Sequence, residues 1–280
     1  MPSWDPSLYL KYADERTQPC RDLIHRVQLT APEDVVDLGC GPGNSTAVLA
    51  ARWPLARITG LDSSAEMLAR AHAAMPRIHW QQGDIASWTA EPAEEAAPDT
   101  AGNGASPAAA ADGAGRPQLV FSNAALQWVP DHFELVPRLF AQVAPGGALA
   151  VQVPAQVNAP AHVIMRELTQ SAAWRSYFPM GSVRDWHVHE PGVYFDLLSP
   201  LTSRLDMWLT DYMMYLPGPQ SIVDWYQGTG MRPYLDALPS DELRRVFMAD
   251  VLAEVAVTYP ARSNGMVEFP FRRLFFVAYR

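Results

Sequence analysis

Val35-Val36-Asp37-Leu38-Gly39-Cys40-Gly41-Pro42-Gly43 reads as a short apolar strand that runs into a cluster of glycines. Asn44 or Ser45 can cap a helix directly behind it, and that helix has to stop at Pro54. A strand that turns through bare backbone into a helix lets a ligand lie against main-chain N–H groups that side chains would otherwise cover. A single Gly-x-Gly would fit any tight turn. The acid two residues before the first of three glycines makes that reading a poor one.

Downstream the rhythm repeats. Arg57-Ile58-Thr59-Gly60-Leu61 is a second strand ending at Asp62, Ser63 or Ser64 caps a helix through Met75, and Ile78–Gln82 is a third strand ending at Gly83-Asp84. Strand, helix, strand, helix, strand predicts an α/β fold with a parallel sheet covered by helices. In such a sheet the strand ends line the ligand crevice. One aspartate at a strand end is usually a turn cap, but Asp37, Asp62 and Asp84 stand at three consecutive ends. Asp62, 19 residues beyond Gly43, is placed to accept from both hydroxyls of a ribose. Asp84 can accept from an adenine amino group, with Ile85 against the ring. The dinucleotide fingerprint counted from Gly39 needs glycine at 44, where Asn44 stands, and the phosphate loop ending Gly-Lys-Ser/Thr is absent. The glycine loop used for S-adenosylmethionine is what remains.

Outside this core, residues 89–116 are alanine, glycine, proline and acid, without an aromatic or large aliphatic side chain. That composition cannot bury apolar surface, so a mobile insertion is expected. Gln118–Ser122 and Ala148–Val153 read as strands flanking a helix over Asp131–Val143. Helices are expected over 160–178, 219–237 and 240–258, with strands at 203–215 and Arg273–Ala278. A first helix is expected over Pro19–Gln28. About seven strands result.

The net charge of −9 argues against a nucleic-acid partner, and no apolar run approaches the length of a membrane span. MPSWDPSLYLKY lacks the pattern of a signal peptide, so a cytoplasmic location is expected. Cys20 and Cys40 cannot build a disulfide framework or a four-cysteine metal site. Trp186-His187-Val188-His189 pairs two histidines without a third ligand in view, so no metal is expected. Lys11 is the one lysine among 21 basic residues, and arginine grips carboxylates through two N–H groups at once.

Several segments together carry a resemblance. They are WDPSLYL (Trp4–Leu10), VDLGCGPGNSTA (Val36–Ala47), ARITGLDSS (Ala56–Ser64), SNAALQWVPD (Ser122–Asp131), HVIMRE (His162–Glu167), TGMRPYL (Thr229–Leu235) and the terminal PFRRLFFVA. The chain resembles the class I S-adenosylmethionine-dependent methyltransferases, and within them is similar to the trans-aconitate 2-methyltransferase family. The glycine motif alone names only the superfamily. The first segment, ALQWVPDH and MRPYL narrow it, and the insertion at 89–116 departs from the family pattern.

The resemblance implies a Rossmann-like, seven-stranded, mostly parallel sheet with helices on both faces and an antiparallel last strand. It implies a single domain, with residues 1–30 as an N-terminal cap and 216–260 as a helical substrate lid before the last strand. The loop Gly39, Cys40, Gly41 and Gly43 would hold the amino-acid part of the cofactor, with Asp37 close by. Asp62 and Ser63 would serve the ribose, Asp84 and Ile85 the adenine, and Asn123 the methionine portion. The reaction would methylate a carboxylate of trans-aconitate or a related small tricarboxylate and release S-adenosylhomocysteine. No catalytic acid, base or nucleophile is expected, because a carboxylate with a pKa of ~4 is already ionised at neutral pH. Candidates for holding the acid are Tyr9, Arg16, Gln127, Trp128, Arg166 and Arg232, with His162 beside Arg166. No obligate protein partner is evident. The alternatives are a malonyl carrier-protein O-methyltransferase, another small-molecule methyltransferase, or a cofactor-binding module without chemistry.

Overall fold

Alternation of strand and helix builds the sheet, shown here by a computed structural model that describes residues 13–90, 115–183 and 186–280. β1 (Asp34–Leu38), β2 (Arg57–Asp62), β3 (His79–Gln82), β4 (Leu119–Asn123) and β5 (Ala148–Pro154) are followed by two long strands, β6 (Arg204–Pro217) and β7 (Met266–Tyr279). The sheet order is β3-β2-β1-β4-β5-β7-β6. β1 pairs in parallel with β2 and β4, β2 with β3, and β4 with β5. β7 runs antiparallel, since Gly146 N–H reaches Arg280 O while Ala155 N–H reaches Arg272 O. Every residue of β5 is buried, as a central strand covered on both faces requires, and β3 is exposed at the edge.

The chain divides into two compact units. One comprises Thr17–Val153, His187–Trp208 and Leu274–Arg280; the described part of the other is 13–16, 154–183, Trp186 and Leu209–Arg273.

In the first unit the helices are α1 (Ala13–Arg26) from Thr17 onward, α2 (Asn44–Arg52), α3 (Ala65–Ala74), α4 (His132–Ala141) and α6 (Pro191–Leu198). α2 follows Gly43 at φ 93° and buries Leu49. α3 is capped by Ser64, whose hydroxyl accepts from Met67 N–H at 3.3 Å. In the second unit α5 (Pro160–Gln170), α7 (Gln220–Gln227), α8 (Arg232–Ala237) and α9 (Asp241–Thr258) pack on an apolar cluster around Trp225, Phe247, Phe269 and Met231.

Several boundaries differ from the sequence reading. α1 begins before Pro19, which removes one backbone bond without ending the helix. The helix expected over 160–178 stops at Gln170, and turns follow. The helix expected over 219–237 is two, because Gly228-Thr229-Gly230 breaks it and Pro233 restarts it. α6 was not anticipated, and β7 starts seven residues earlier than Arg273. The N-terminal cap up to residue 12 and the insertion at 91–114 lie outside the described residues. No helix among the described residues is long and apolar enough to cross a membrane.

Candidate active site

The glycine loop leaves β1 with three residues in the left-handed region, Gly39 at φ 73°, Gly41 at 55° and Gly43 at 93°. Gly39 and Cys40 N–H both donate to Leu61 O of β2, at 2.7 and 3.0 Å. The three glycines answer to different neighbours. A Cβ on Gly39 would stand 2.2 Å from Ala125 Cβ, and one on Gly43 would stand 2.8 Å from Met75 Cε and 3.0 Å from Trp80 Cη2. A Cβ on Gly41 would meet nothing within 4 Å. Gly39 and Gly43 are therefore glycines because protein atoms press on them. Gly41 is the one that borders open space, where a ligand can reach bare backbone.

Asp62 ties the end of β2 to this loop. Its Oδ2 accepts from Gly41 N–H at 2.9 Å and its Oδ1 from Ser64 N–H at 2.8 Å. Each carboxylate oxygen keeps a further lone pair, enough to accept two hydroxyls. Asp37 is 0% exposed. Its Oδ2 accepts from Ser45 Oγ at 2.7 Å and Thr46 Oγ1 at 2.6 Å, bracing the first turn of α2, while its Oδ1 has no partner among the described residues. Two positions beyond Phe121, the register partner of Asp37, stands Asn123 on the same face of the sheet. Its Oδ1 is buried without a partner, as is Oε1 of Gln127 in the turn that follows. Gln152, beside Asn123 in register on β5, adds a buried Nε2 without a partner. Unsatisfied acceptors with a donor beside them suit a ligand that carries both an ammonium and a carboxylate, which is the amino-acid end of S-adenosylmethionine. The residues present fit that group.

The third acid behaves differently. Asp84 lies in an exposed turn after β3 and its Oδ1 accepts from Ala86 N–H at 2.9 Å, a local turn cap. Ile85 is buried, and its Cδ1 is 3.3 Å from the position of a Cβ on Gly39, so this side chain does border the loop. Arg138 of α4 fixes the turn by donating to Ile85 O at 3.0 Å, Ala86 O at 2.8 Å and Trp88 O. Gln127 Nε2 donates to Ala124 O at 2.7 Å, closing a turn in which Ala124 adopts φ 55°. A non-glycine residue held there is strained. Trp128 is half-buried at the end of that turn, and Ser63 is exposed with its carbonyl accepting from Gln82 Nε2 at 3.2 Å. Cys40 is buried, and burial, then Asp37 and Asp62, push its thiol above the usual range, so it is no nucleophile.

In the second unit Arg166 is exposed and donates to Val157 O. Arg232 has a 41% exposed side chain, and its Nε is 3.1 Å from Asp236 Oδ2. It would have to leave that ion pair to hold a ligand. Tyr9 and the side chain of Arg16 lie outside the described residues. Among the described residues no group of three His, Cys, Asp or Glu side chains could hold a metal ion. Sequence reasoning missed Arg138 and Gln152. The signal for Gln152 was a polar residue in an otherwise apolar strand.

Burial pushes the Asp37 carboxyl up to about 6, Thr46 and Ser45 oppose the shift, and Asp62 adds to it. A value above the ordinary 3.8 means that the folded state takes up the proton first, so this group lowers stability as pH rises from about 4 to about 6. A cationic ligand favours the ionised form. Cofactor affinity is therefore expected to fall below pH about 6, by up to about tenfold per unit, and Asp37→Asn to flatten the profile. Calorimetric titrations from about pH 5 to 8 check this; affinity independent of pH contradicts it.

A methyltransferase-domain family matches residues 12–196. The trans-aconitate 2-methyltransferase of Azoarcus sp. (strain BH72) is 43% identical over 285 residues, covering 100% of each chain. Among solved structures, the YcgJ protein from Bacillus subtilis has a TM-score of 0.56 at 13% identity, covering 94% of this chain and 98% of its own. Phosphoethanolamine N-methyltransferase 2 from Haemonchus contortus, in complex with S-adenosyl-L-methionine, has a TM-score of 0.52 at 13% identity, covering 93% of this chain and 52% of its own. These two likenesses carry the fold alone, whereas identity along the whole length carries the family. The chain belongs to the trans-aconitate 2-methyltransferase family of S-adenosylmethionine-dependent methyltransferases.

Proposed function

We propose that the chain esterifies a carboxylate of trans-aconitate, or of a closely related small tricarboxylate, with the methyl group of S-adenosylmethionine. The 43% identity to the Azoarcus enzyme along the full length of both chains carries the choice of acid. When bound, S-adenosylmethionine supplies a methyl group already activated on a sulfonium. In this reading Gly41 gives the cofactor room against the backbone, and Asp62 takes the ribose hydroxyls. Asp37, Asn123, Gln127 and Gln152 take the amino-acid end, Ile85 lies against the adenine, and Asp84 takes its amino group.

The protein then needs no general base, because the acid arrives ionised. Its residues have to hold the carboxylate oxygen in line with the methyl carbon and keep water out. Positioning of this kind is worth up to ~7–11 kcal/mol in well-oriented cases. Opposite charges neutralise as the methyl group moves, so a dry site favours the transition state. Trp128 would wall that site. Arg166 and Arg232 would attract the anion to a protein that is itself at −9.

A methyl-transfer assay with labelled cofactor tests the reading across trans-aconitate, cis-aconitate, isocitrate and malonyl carrier protein. The expected product is an alkali-labile ester, with kcat/KM for trans-aconitate at least about tenfold above the other acids. Label on the carrier protein alone would overturn it.

A further inference from the structure

Within the first unit, α4 grips two separate turns of the candidate site, one from each end of the helix. At its start His132 is 0% exposed. Its Nε2 lies 2.9 Å from Leu126 O and its Nδ1 2.7 Å from the Tyr194 hydroxyl. A carbonyl can only accept, so Nε2 carries the proton and Nδ1 accepts from Tyr194. Burial lowers the pKa of the imidazole and pushes the Tyr194 hydroxyl up to about 12, which keeps the ring neutral and the phenol protonated. The Tyr194 oxygen accepts in turn from His189 N–H at 3.2 Å, and its ring stacks on Phe276 at 5.2 Å. Tyr194 therefore selects the tautomer of His132 that holds Leu126 O.

What that bond holds is the turn Leu126–Trp128. It lies between Ala124 at φ 55° and Asp131 at φ 57°, both non-glycine residues in the left-handed region. Backbone of that kind persists only where its surroundings fix it. The bond from His132 is joined by Gln127 Nε2 to Ala124 O at 2.7 Å and by His187 N–H to Gln127 O at 2.8 Å. The turn presents Gln127, whose buried Oε1 has no partner among the described residues.

Arg138 stands roughly 9 Å further along the same helix. It donates to Ile85 O at 3.0 Å, Ala86 O at 2.8 Å and Trp88 O, all main-chain carbonyls of one turn. A planar guanidinium can serve several acceptors at once, which a lysine ammonium does less well. Gln142, at the end of α4, accepts from Ala90 N–H at 3.0 Å and adds a second tie. The turn so held carries the buried Ile85, which borders Gly39.

We propose that, given the cofactor placement above, α4 fixes the two ends of the methyl donor separately. His132, oriented by Tyr194, positions the turn of Gln127 at the amino-acid end, and Arg138 positions the turn of Ile85 at the adenine. Both are positioning residues that act through the turns they hold. Tyr194→Phe keeps the ring on Phe276 but frees the His132 proton to move to Nδ1, so Leu126 O loses its donor and the turn of Gln127 relaxes. The turn of Ile85 is untouched by that change.

Two ligands separate the ends in calorimetric titrations of the full chain. S-adenosylhomocysteine has both, whereas 5′-methylthioadenosine has the adenine and ribose without the amino-acid end. Tyr194→Phe and His132→Leu are expected to weaken S-adenosylhomocysteine about tenfold and to leave methylthioadenosine within about twofold of wild type. His132→Gln, whose amide N–H can reach Leu126 O, should recover most of the loss. Arg138→Leu should weaken both ligands about tenfold and Arg138→Lys by less. Comparing the two ligands within one variant cancels a general loss of stability. Equal loss of both ligands in the Tyr194 and His132 variants, or unchanged binding of both in Arg138→Leu, overturns the positioning roles. Asp62→Ala in the same titrations keeps the two questions apart. Loss of both ligands there, without the selective effect in the α4 variants, leaves the cofactor placement standing and overturns the positioning roles. Full affinity for both ligands in Asp62→Ala overturns the placement and the positioning roles with it.

Discussion

Asp62→Ala is expected to weaken S-adenosylhomocysteine binding by about 100-fold or more. Hydrogen bonds to a charged acceptor are worth ~1.5–3 kcal/mol each, and the variant removes two hydroxyl contacts together. It also releases Gly41 N–H, which donates to Asp62 Oδ2 at 2.9 Å, so the loop loses its tie to β2. Asp62→Asn keeps one oxygen acceptor and should fall between the two. Both variants should fold, because Asp62 is only half-buried and stands at a strand end. Calorimetry reads the outcome, and an affinity within about threefold of wild type would remove Asp62 from the ribose.

The second large effect separates two glycines two residues apart. Gly39→Ala places a Cβ 2.2 Å from Ala125 Cβ at φ 73°. Left-handed strain of ~1–2 kcal/mol and overpacking of ~1–3 kcal/mol add to a substantial share of a typical ~5–15 kcal/mol stability. A drop in Tm of about 10 °C is expected, with the cofactor site lost alongside. Gly41→Ala carries the strain without the clash, since nothing lies within 4 Å of its Cβ. It should cost only a few degrees in Tm while reducing cofactor affinity by about 30-fold, because the methyl group stands where the ligand approaches. Thermal melts and titrations on the pair distinguish packing from ligand contact. A Gly41→Ala variant with full cofactor affinity would contradict the assignment.

What could be read before folding was local. Breakers at Gly39–Gly43, Pro54 and Pro76 bracket the first strands and helices, so their order and the ends carrying Asp37 and Asp62 were legible. The parallel pairing of β1 through β5 follows from that alternation. Where a breaker sits inside an element the reading failed. Pro270 interrupts the pattern of β7, where it is exposed, so only the segment from Arg273 stood out. Val193, Tyr194, Phe195, Leu197 and Leu198 crowd α6 with apolar residues too densely to show a helical stripe.

Side-chain partnerships were less legible still. Arg138 grips a turn some fifty residues before it in the chain. Asp84 lies at a strand end as expected, and its Oδ1 accepts from Ala86 N–H in its own turn. Arg232, between proline and methionine in a recognisable segment, turned out to be held by Asp236 one helical turn on.

The central claim is that a methyl donor rests on the open backbone at Gly41, with its ribose on Asp62 and its amino-acid end among Asp37, Asn123 and Gln127. A crystal structure of the protein grown with S-adenosylhomocysteine measures this directly. The account predicts the ribose hydroxyls within hydrogen-bond distance of both Asp62 oxygens and the ligand's ammonium against the oxygens now lacking a donor. Ligand bound elsewhere, with the space over Gly41 filled by protein, would contradict it.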